Sequence, residues 1–279
     1  MQVRIVHTTG FRYDGAAAAS YNEARLTPVT SAEQVVVHSR IDIAPTPWIH
    51  AYRDYFGAEV TAFEVTDAHT HLQVTSTATV HTSRPTPTPP ALTWPELLSA
   101  EVADRYCEFL APDDLVAPAA DLADRVREIA AASNRPGNAA RAVCELVNEE
   151  LAYQPGSTDV LTPAATAWEQ RAGVCQDITH VVVGALRLVG IPARYVSGYL
   201  HPEKEPRTGV TVAGESHAWV EWWDAGWRGF DPTNDQHIGD RHIRIAAGRD
   251  YRDVRPLNGI YSGGVTSSMY VDVQVTRMA

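Results

Sequence analysis

The segment Arg171-Ala172-Gly173-Val174-Cys175-Gln176-Asp177 leads into the most apolar run of the chain, residues 178–191. Apolar residues recur in that run at helical spacing, which predicts a helix from about Cys175 to Val189, ended by Gly190. A thiol at the start of a helix faces exposed N–H groups and the positive end of the helix dipole, and both favour a thiolate. The same amides could stabilise an oxyanion. Because free cysteines are more often small buried residues, this segment alone leaves a catalytic and a buried cysteine both open.

Two predicted strands downstream carry a histidine and a carboxylate. The first is His217-Ala218-Trp219-Val220-Glu221-Trp222-Trp223, and the second is Trp227-Arg228-Gly229-Phe230, which Asp231 follows. The turn between them, Asp224-Ala225-Gly226, is typical of a hairpin. If the strands pair, Asp231 lies across from His217, where a carboxylate can bind the imidazole and fix its tautomer. Taken singly, His217 fits a core or edge position and Asp231 fits an Asp-Pro turn. The order cysteine, histidine, aspartate is far more specific than any one of them.

With these residues the chain resembles the transglutaminase-like superfamily, a group of cysteine enzymes with a papain-like core. The resemblance rests on residues 173–177, 190–199, 217–221 and 227–233. Residues 22–28, 54–57 and 248–251 resemble signatures of a bacterial branch, transglutaminase-like cysteine proteases with an N-terminal β domain. The resemblance implies that Cys175 is the nucleophile, that His217 takes its proton and returns one to the leaving amine, and that Asp231 orients His217.

The resemblance also implies the reaction, which is cysteine-dependent acyl transfer at an amide bond through an acyl-thioester. We expect hydrolysis of a peptide or side-chain amide, because we find no extra β-sandwich domains and no acidic calcium loops of the kind animal cross-linking enzymes carry. Transamidation of protein glutamine by the same three residues is the first alternative. A non-catalytic peptide-binding module on the same fold is the second. The expected substrate is a peptide or a protein, with no cofactor and no bound metal ion.

Further residues are candidates for binding the substrate or stabilising an oxyanion: Gln176, Tyr153, Trp168, Ser216 and Trp219. They flank the predicted catalytic residues or belong to an aromatic wall that family members place near the thiol. Core packing is the competing interpretation of the aromatic residues, and we favour it for Trp168. The polar segment 201–216 leads directly into His217 and could gate the cleft, although a plain surface loop fits it as well.

Three parts follow one another along the chain. Residues 1–83 alternate apolar and polar side chains with many β-branched residues, which predicts an N-terminal antiparallel β domain. The proline-rich residues 84–95 predict an extended linker. Residues 96–279 form the predicted transglutaminase-like core, with three helices before the one at Cys175 and an alternating C-terminal strand at 269–275. Helices that precede strands, rather than alternate with them, indicate an α+β fold in which helices pack on an antiparallel sheet.

Composition limits the class of protein. The 279 residues include 23 basic and 34 acidic side chains, a formal charge of −11, which disfavours nucleic acid as a partner. No stretch reaches the roughly 18 apolar residues that a membrane span needs, and the N-terminus does not resemble a signal peptide. Three cysteines without a Cys-x-x-Cys pair disfavour disulfides and structural zinc, and they indicate a cytoplasmic protein. The sequence leaves the oligomeric state open.

Overall fold

The structure, a computed structural model, describes residues 1–86 and 88–279. The α-helices in this part of the chain are α1 (Trp94–Leu97), α2 (Ala100–Arg105), α3 (Ala120–Ala132), α4 (Pro136–Glu150), α5 (Ala164–Gln170) and α6 (Cys175–Leu188). The strands are β1 (Gln2–Ala17), β2 (Ala19–Thr27), β3 (Gln34–Ala44), β4 (Trp48–Arg53), β5 (Glu59–Val65), β6 (His69–Thr82), β7 (Ala152–Tyr153), β8 (Ala172–Gly173), β9 (Ala193–Leu200), β10 (Thr211–Ala213), β11 (Glu215–Trp223), β12 (Trp227–Asp231), β13 (Gln236–His237), β14 (His242–Gly248), β15 (Leu257–Ser262) and β16 (Ser267–Arg277). No helix among the described residues is both long and apolar enough to cross a membrane.

The core sheet has the strand order β13-β12-β11-β9-β14, and its neighbouring strands are antiparallel. Helix α6 packs on this sheet, and its residues Val182 and Ala185 share one apolar cluster with Val220 of β11. The predicted helix bounds are confirmed to within one residue, and Gly190 follows the helix with a φ of +79°. Helices packed on an antiparallel sheet confirm the predicted α+β class.

Two further sheets contain the N-terminal strands β1–β6. The long sheet has the order β10-β16-β1-β6-β3, and the outer sheet has the order β15-β2-β5-β4. Apolar side chains of both sheets meet in one buried cluster that includes Leu26, Phe63, Leu72 and Val74. The alternation that predicted antiparallel strands in residues 1–83 arises because each strand turns every second side chain into this layer.

The two C-terminal strands, β15 and β16, belong to the outer sheet and the long sheet rather than to the core sheet. Strand β16 pairs with β1 from Tyr13↔Ser267 to Val3↔Arg277, and β15 pairs with β2. The predicted core range 96–279 therefore includes three strands, β10, β15 and β16, that complete the N-terminal sheets. An alternating pattern predicts a strand but not its partner, because the period of two is the same in every sheet.

The described residues of the predicted linker 84–95 contact the core at several points, and Trp94 and Pro95 already belong to α1. The backbone N–H groups of Ala91 and Leu92 donate to the buried carboxylate of Asp224 at 2.7–3.0 Å, and Arg84 binds Glu33. Pro87, which belongs to the predicted linker, lies outside the described residues. The described part of the segment is thus bound at both ends rather than free.

Five α-helices, rather than the predicted three, precede α6 in the part of the chain that the structure describes. The continuous apolar stripe after Pro95 is divided between α1 and α2, because Ser99 caps α2 by accepting the Val102 N–H. Helix α4 begins at Pro136. Proline fits the first helical position, where its fixed φ suits the helix and its missing N–H is not needed.

Candidate active site

Cys175 is the first residue of α6, where the sequence predicted it. Asp177 holds the turn before it, since its Oδ2 accepts the Val174 N–H at 2.8 Å and the Thr158 hydroxyl at 2.6 Å. Asp177 is buried, and burial raises the pKa of its carboxyl. Asp177 thus does more than complement the helix dipole, because it ties the loop before α5 to the helix that carries the thiol.

The three cysteines differ in exposure. Cys144 is buried in the main core, and burial raises the pKa of its thiol far above the ordinary value. Cys107 is exposed on the surface. Cys175 is partly exposed and lines a cleft that His217 also lines. Cys175 is therefore the thiol that combines access to solvent with a neighbouring histidine.

His217 and Asp231 form a buried pair. Nε2 of His217 lies 2.8 Å from Oδ2 of Asp231, and the two side chains are 8% and 0% exposed. The register of β11 with β12 pairs Val220 with Phe230, so Asp231 stands opposite Trp219 and reaches His217 diagonally. The prediction of a position directly across from His217 is therefore wrong by two residues, although the hairpin does bring the two side chains together.

Asp231 is saturated with hydrogen bonds. Oδ1 accepts the backbone N–H groups of Thr233 and Asn234 at 3.1 and 3.2 Å, and Oδ2 accepts the Asn234 side-chain amide at 2.8 Å. Burial by itself would raise the pKa of this carboxyl, but hydrogen bonds from His217 and His242 hold it well below its ordinary value. Asp231 is therefore a fixed negative charge at neutral pH.

His217 is held in its charged form. Burial by itself would lower the pKa of His217, but the hydrogen bond to Asp231 and the nearby Cys175 thiol outweigh burial and raise the pKa to about 10. Because Nε2 faces Asp231, Nδ1 is the ring nitrogen left for the thiol. A protonated imidazole beside a cysteine favours the thiolate. The arrangement can thus hold an imidazolium–thiolate pair at neutral pH.

A second histidine, which the sequence did not single out, binds the same carboxylate. Nε2 of His242 lies 3.3 Å from Oδ2 of Asp231, and its Nδ1 accepts the Gly239 N–H at 3.1 Å. An accepting Nδ1 places the proton on Nε2, and burial lowers the pKa of His242, so this imidazole is a neutral donor. His242 reaches the site because β14 pairs with β9. No local pattern around residue 242 marks that pairing.

His217, Asp231 and His242 offer three ligand atoms within 4.8 Å of one another. Two imidazoles and one carboxylate are a ligand set that zinc or iron can use. In this structure both Nε2 atoms point at the same oxygen, Oδ2 of Asp231, so hydrogen bonds account for the cluster. That the protein works without a metal ion stays a prediction.

The cleft at Cys175 has a volume of about 440 Å³. Of the predicted binding residues, Tyr153, Gln176 and Ser216 line it. Nε2 of Gln176 donates to the Val160 carbonyl at 3.1 Å, which fixes another part of the wall. Their roles in binding or oxyanion stabilisation stay predictions, with Gln176 already engaged in holding the wall.

The structure does not bring Trp168 or Trp219 to the cleft. Trp168 is 1% exposed, and its Nε1 donates to Asp121 at 2.9 Å. Trp219 is fully buried, with its ring 6.4 Å from that of His217 and 5.6 Å from that of His242. Both positions fit packing residues: core packing is the interpretation favoured above for Trp168, and the binding role suggested for Trp219 does not fit its burial. Trp219 shares a strand face with His217 but lies deeper, where it backs the imidazole.

Much of the cleft wall comes from residues that are far apart in the sequence. The residues not predicted include Tyr195, Tyr251, Pro256, Val271 and Val273. Val271 and Val273 belong to β16, so the long sheet forms one side of the cleft. The segment 201–216 meets it there, because β10 pairs with β16. A gating role for that segment stays a prediction.

Comparisons with known protein families match an N-terminal region and a central region of the chain. The sequence profile of the bacterial transglutaminase-like N-terminal region matches residues 3–81, and that of the transglutaminase-like superfamily matches residues 123–232. An uncharacterized protein of Mycobacterium leprae is 42% identical, over 100% of this chain and 99% of its own. An uncharacterized protein of Mycobacterium tuberculosis is 34% identical, over 98% of this chain and 91% of its own.

Two further matches concern proteins with a described activity. A protein-glutamine gamma-glutamyltransferase of Pseudomonas aeruginosa is 31% identical over 150 residues, which are 50% of this chain and 22% of that protein. A crystal structure described as a candidate cysteine protease from Cytophaga hutchinsonii superposes with a TM-score of 0.76 at 21% identity, over 98% of this chain and 90% of that one. The latter shows a shared fold. Together with the full-length relatives and the two matched regions, these findings show that the chain belongs to the transglutaminase-like superfamily, in the form that carries the bacterial transglutaminase-like N-terminal region.

Proposed function

We propose that this protein catalyses cysteine-dependent acyl transfer at an amide bond of a peptide or protein, with water as the acceptor. The Cys175 thiolate attacks the amide carbonyl carbon and forms a thioester, while the His217 imidazolium gives the proton on Nδ1 to the leaving amine. His217 then takes a proton from the water that attacks the thioester. The acid leaves, and the imidazolium–thiolate pair is restored.

One observation carries this proposal. The imidazole that shares the cleft with Cys175 is held by its other nitrogen, 2.8 Å from the buried, ionised Asp231. A buried carboxylate fixes the tautomer of a catalytic histidine and stabilises the imidazolium. A module that only binds peptides has no use for a charged pair at this depth, and burying charge is costly. The arrangement therefore supports catalysis over the binding module.

Transamidation is the second candidate, and a relative favours it. The Pseudomonas aeruginosa protein that matches half of this chain is named a protein-glutamine gamma-glutamyltransferase. Hydrolysis is supported by the structural neighbour described as a candidate cysteine protease. Both reactions share the acylation step and differ only in whether water or an amine attacks the thioester. The cytoplasmic location indicated by the cysteine content stays a prediction.

The first experiment measures alkylation of each cysteine by iodoacetamide between pH 5 and 9, with peptide mass spectrometry as the readout. The pKa of an unperturbed cysteine thiol in a model peptide is about 8.5. We expect Cys175 to react more than about tenfold faster than Cys107 at pH 6, because the imidazolium of His217 maintains the thiolate. Cys144 should stay unmodified while the protein is folded, because it is buried.

Two variants control this experiment. His217→Ala should reduce Cys175 to the behaviour of an ordinary thiol, whereas His38→Ala, which removes an exposed histidine of β3, should leave the profile unchanged. If Cys175 in the wild type reacts at pH 6 no faster than Cys107, the catalytic proposal fails and the binding module takes its place.

The second experiment separates the two acceptors. A glutamine-containing peptide is incubated with the protein and a fluorescent primary amine, and both ammonia release and amine incorporation are measured. Release without incorporation supports hydrolysis, and incorporation at the glutamine supports transamidation. Cys175→Ala should abolish either product.

A further inference from the structure

Strand β16 is paired along its whole length on one side only. Its partner there is β1, from Ser267 to Arg277. On the other side, among the described residues, β10 pairs only with Gln274, Val275 and Thr276. The edge of β16 from residue 267 to residue 272 is therefore open, and we call this stretch the open edge.

The backbone groups that the open edge presents follow from its hydrogen bonds. The Gly214 N–H donates to the Val273 carbonyl and the Gly209 N–H to the Arg277 carbonyl, both at 2.8 Å. Residues two apart in an antiparallel strand turn their N–H and C=O groups to the same side. The N–H and C=O groups of Val271 and Met269 therefore point outward on the open edge.

The open edge leads directly to the thiol. Val271 and Val273 line the same cleft of about 440 Å³ as Cys175, together with Gly214, at which the chain leaves β10. Exposure increases along the strand away from the cleft: Val273 is 4% exposed, and Val271 and Met269 are each 53% exposed. Apolar side chains thus continue from the cleft onto the surface at the spacing of a strand.

Exposed edges are normally blocked, because an unpaired strand invites other chains to add to it. Charged side chains, especially lysine, and proline are the usual protection. The open edge has neither lysine nor proline, and Asp272 is its single charged residue. An apolar, unprotected edge that ends in a cleft with a thiol favours a function that uses the edge.

We infer that the acyl donor is an extended peptide segment that binds as an added strand along the open edge, through the backbone groups of Val271 and Met269. Strand β10 already occupies the same side of β16 and shows the geometry that such a segment would continue. Side chains of the donor on the cleft side would contact Val271 and Met269, which favours apolar or β-branched residues beside the reacting amide. This inference rests on the proposed function, because it places that amide at Cys175.

The test measures how an acetylated, amidated hexapeptide, Val-Thr-Val-Gln-Val-Thr, slows alkylation of Cys175 by iodoacetamide. The peptide is compared with six versions that each carry one N-methylated amide. An added strand turns every second N–H toward its neighbour, so we expect N-methylation to weaken protection at alternate positions only. Each lost hydrogen bond should raise the half-protecting concentration by about fivefold. This measurement needs no variant and does not depend on which acceptor the reaction uses.

Variants of the two edges of the long sheet test the same inference from the protein side. Val271→Pro removes an N–H from the open edge, whereas Val37→Pro places proline on β3, the opposite edge of the same sheet, where Val37 is 58% exposed. We expect Val271→Pro to lose most of the protection and Val37→Pro to keep it. Val271→Thr, which retains the N–H, should keep the alternating response to N-methylation.

The outcomes separate this inference from the proposed function. If Cys175 shows its fast alkylation at pH 6 but no peptide protects it, or N-methylation weakens protection equally at all positions, the added strand is overturned and the catalytic proposal stands. If the fast alkylation itself is absent, the proposed function fails, and the inference fails with it.

Discussion

The long sheet and the core sheet are both five-stranded and antiparallel, yet they bury different side chains. In its described residues the long sheet buries no aspartate, glutamate, lysine or arginine, and burial lowers the pKa of its His7 to about 4, so this histidine is neutral. The core sheet buries Asp231, Glu221, His217 and His242. Buried charge is costly unless it is paired. The long sheet thus contributes mainly to stability, and the core sheet positions the residues that we propose for catalysis.

The largest effect that this comparison predicts comes from the charge at the centre of the core sheet. Asp231→Asn should lower the rate of acyl transfer by roughly 10⁴-fold, because an amide neither stabilises the imidazolium nor holds the required tautomer. The same variant should remove the fast alkylation of Cys175 at pH 6. Asp235→Asn is a matched control, since Asp235 is a neighbouring acid that binds Arg141 at the surface. Retention of more than a tenth of the activity by Asp231→Asn would contradict the role given to the carboxylate.

In the long sheet, a substitution of a buried residue should lower stability without changing the reactivity of Cys175. Leu72 is fully buried between the long and outer sheets, so Leu72→Ala should lower the free energy of unfolding by about 3 kcal/mol through the lost contacts and the cavity. Urea unfolding measures this loss. The alkylation rate of Cys175 in the folded variant should not change. Ile49→Ala on the exposed face of β4 is the control and should cost far less. If Leu72→Ala strongly changes the alkylation rate of Cys175, the long sheet affects the reactivity of the thiol as well as stability, and the contrast between the two sheets is wrong.

The two sheets also differ in what the sequence predicts. In the long sheet, alternation over 269–275 predicted β16 to within two residues at each end, because one face of the strand is apolar. The pairing of β16 with β1 could not be predicted, since alternation carries no information about the partner strand. The open edge and the part of the cleft wall formed by Val271 and Val273 depend on that pairing.

In the core sheet, Cys175, His217 and Asp231 were predicted from their order along the chain and the turn between two strands. His242 was not, because it reaches Asp231 only through the pairing of β14 with β9. Trp219 was misplaced for the same reason: its place on the strand that carries His217 was predicted, but its depth below the cleft depends on how Val196 and Ala247 pack around it. Local sequence patterns thus identify candidate residues and the strands or helices that carry them. Which of these residues come into contact depends on how the strands pair in the folded protein.

The stability of the core sheet should depend on pH through His217. Its pKa is raised from 6.5 to about 10 in the folded protein, so folding favours the protonated form. The stabilisation is complete below about pH 6.5, decreases as the pH rises, and is lost above about pH 10. Wild type should therefore exceed His217→Gln in free energy of unfolding by on the order of 3 kcal/mol at pH 6. The difference should shrink toward pH 10 in urea titrations, whereas His38→Gln should show no such trend. A difference that grows with pH would contradict the assignment.

The smallest predicted effect concerns His242, a positioning residue that acts through Asp231. His242→Phe keeps an aromatic ring at this position but removes the Nε2–H donor. The Asp231 carboxylate then has one hydrogen bond fewer to orient it and to stabilise its charge. The kcat should fall by about tenfold, which corresponds to one lost hydrogen bond to a charged group. Without the hydrogen bond from His242, the Asp231 carboxylate interacts more strongly with the His217 imidazolium and raises its pKa further. The alkaline limb of the profile of kcat against pH, which lies near pH 10, should therefore move to higher pH.

His242→Gln separates positioning from packing, since its amide can still donate to Asp231. We expect this variant to keep most of the wild-type kcat and the wild-type position of the alkaline limb. If His242→Phe lowers only the free energy of unfolding and leaves the pH profile in place, His242 is a packing residue of the core sheet. The buried charge of Asp231 would then be held by His217, by the backbone amides of Thr233 and Asn234, and by the side-chain amides of Asn234 and Gln236.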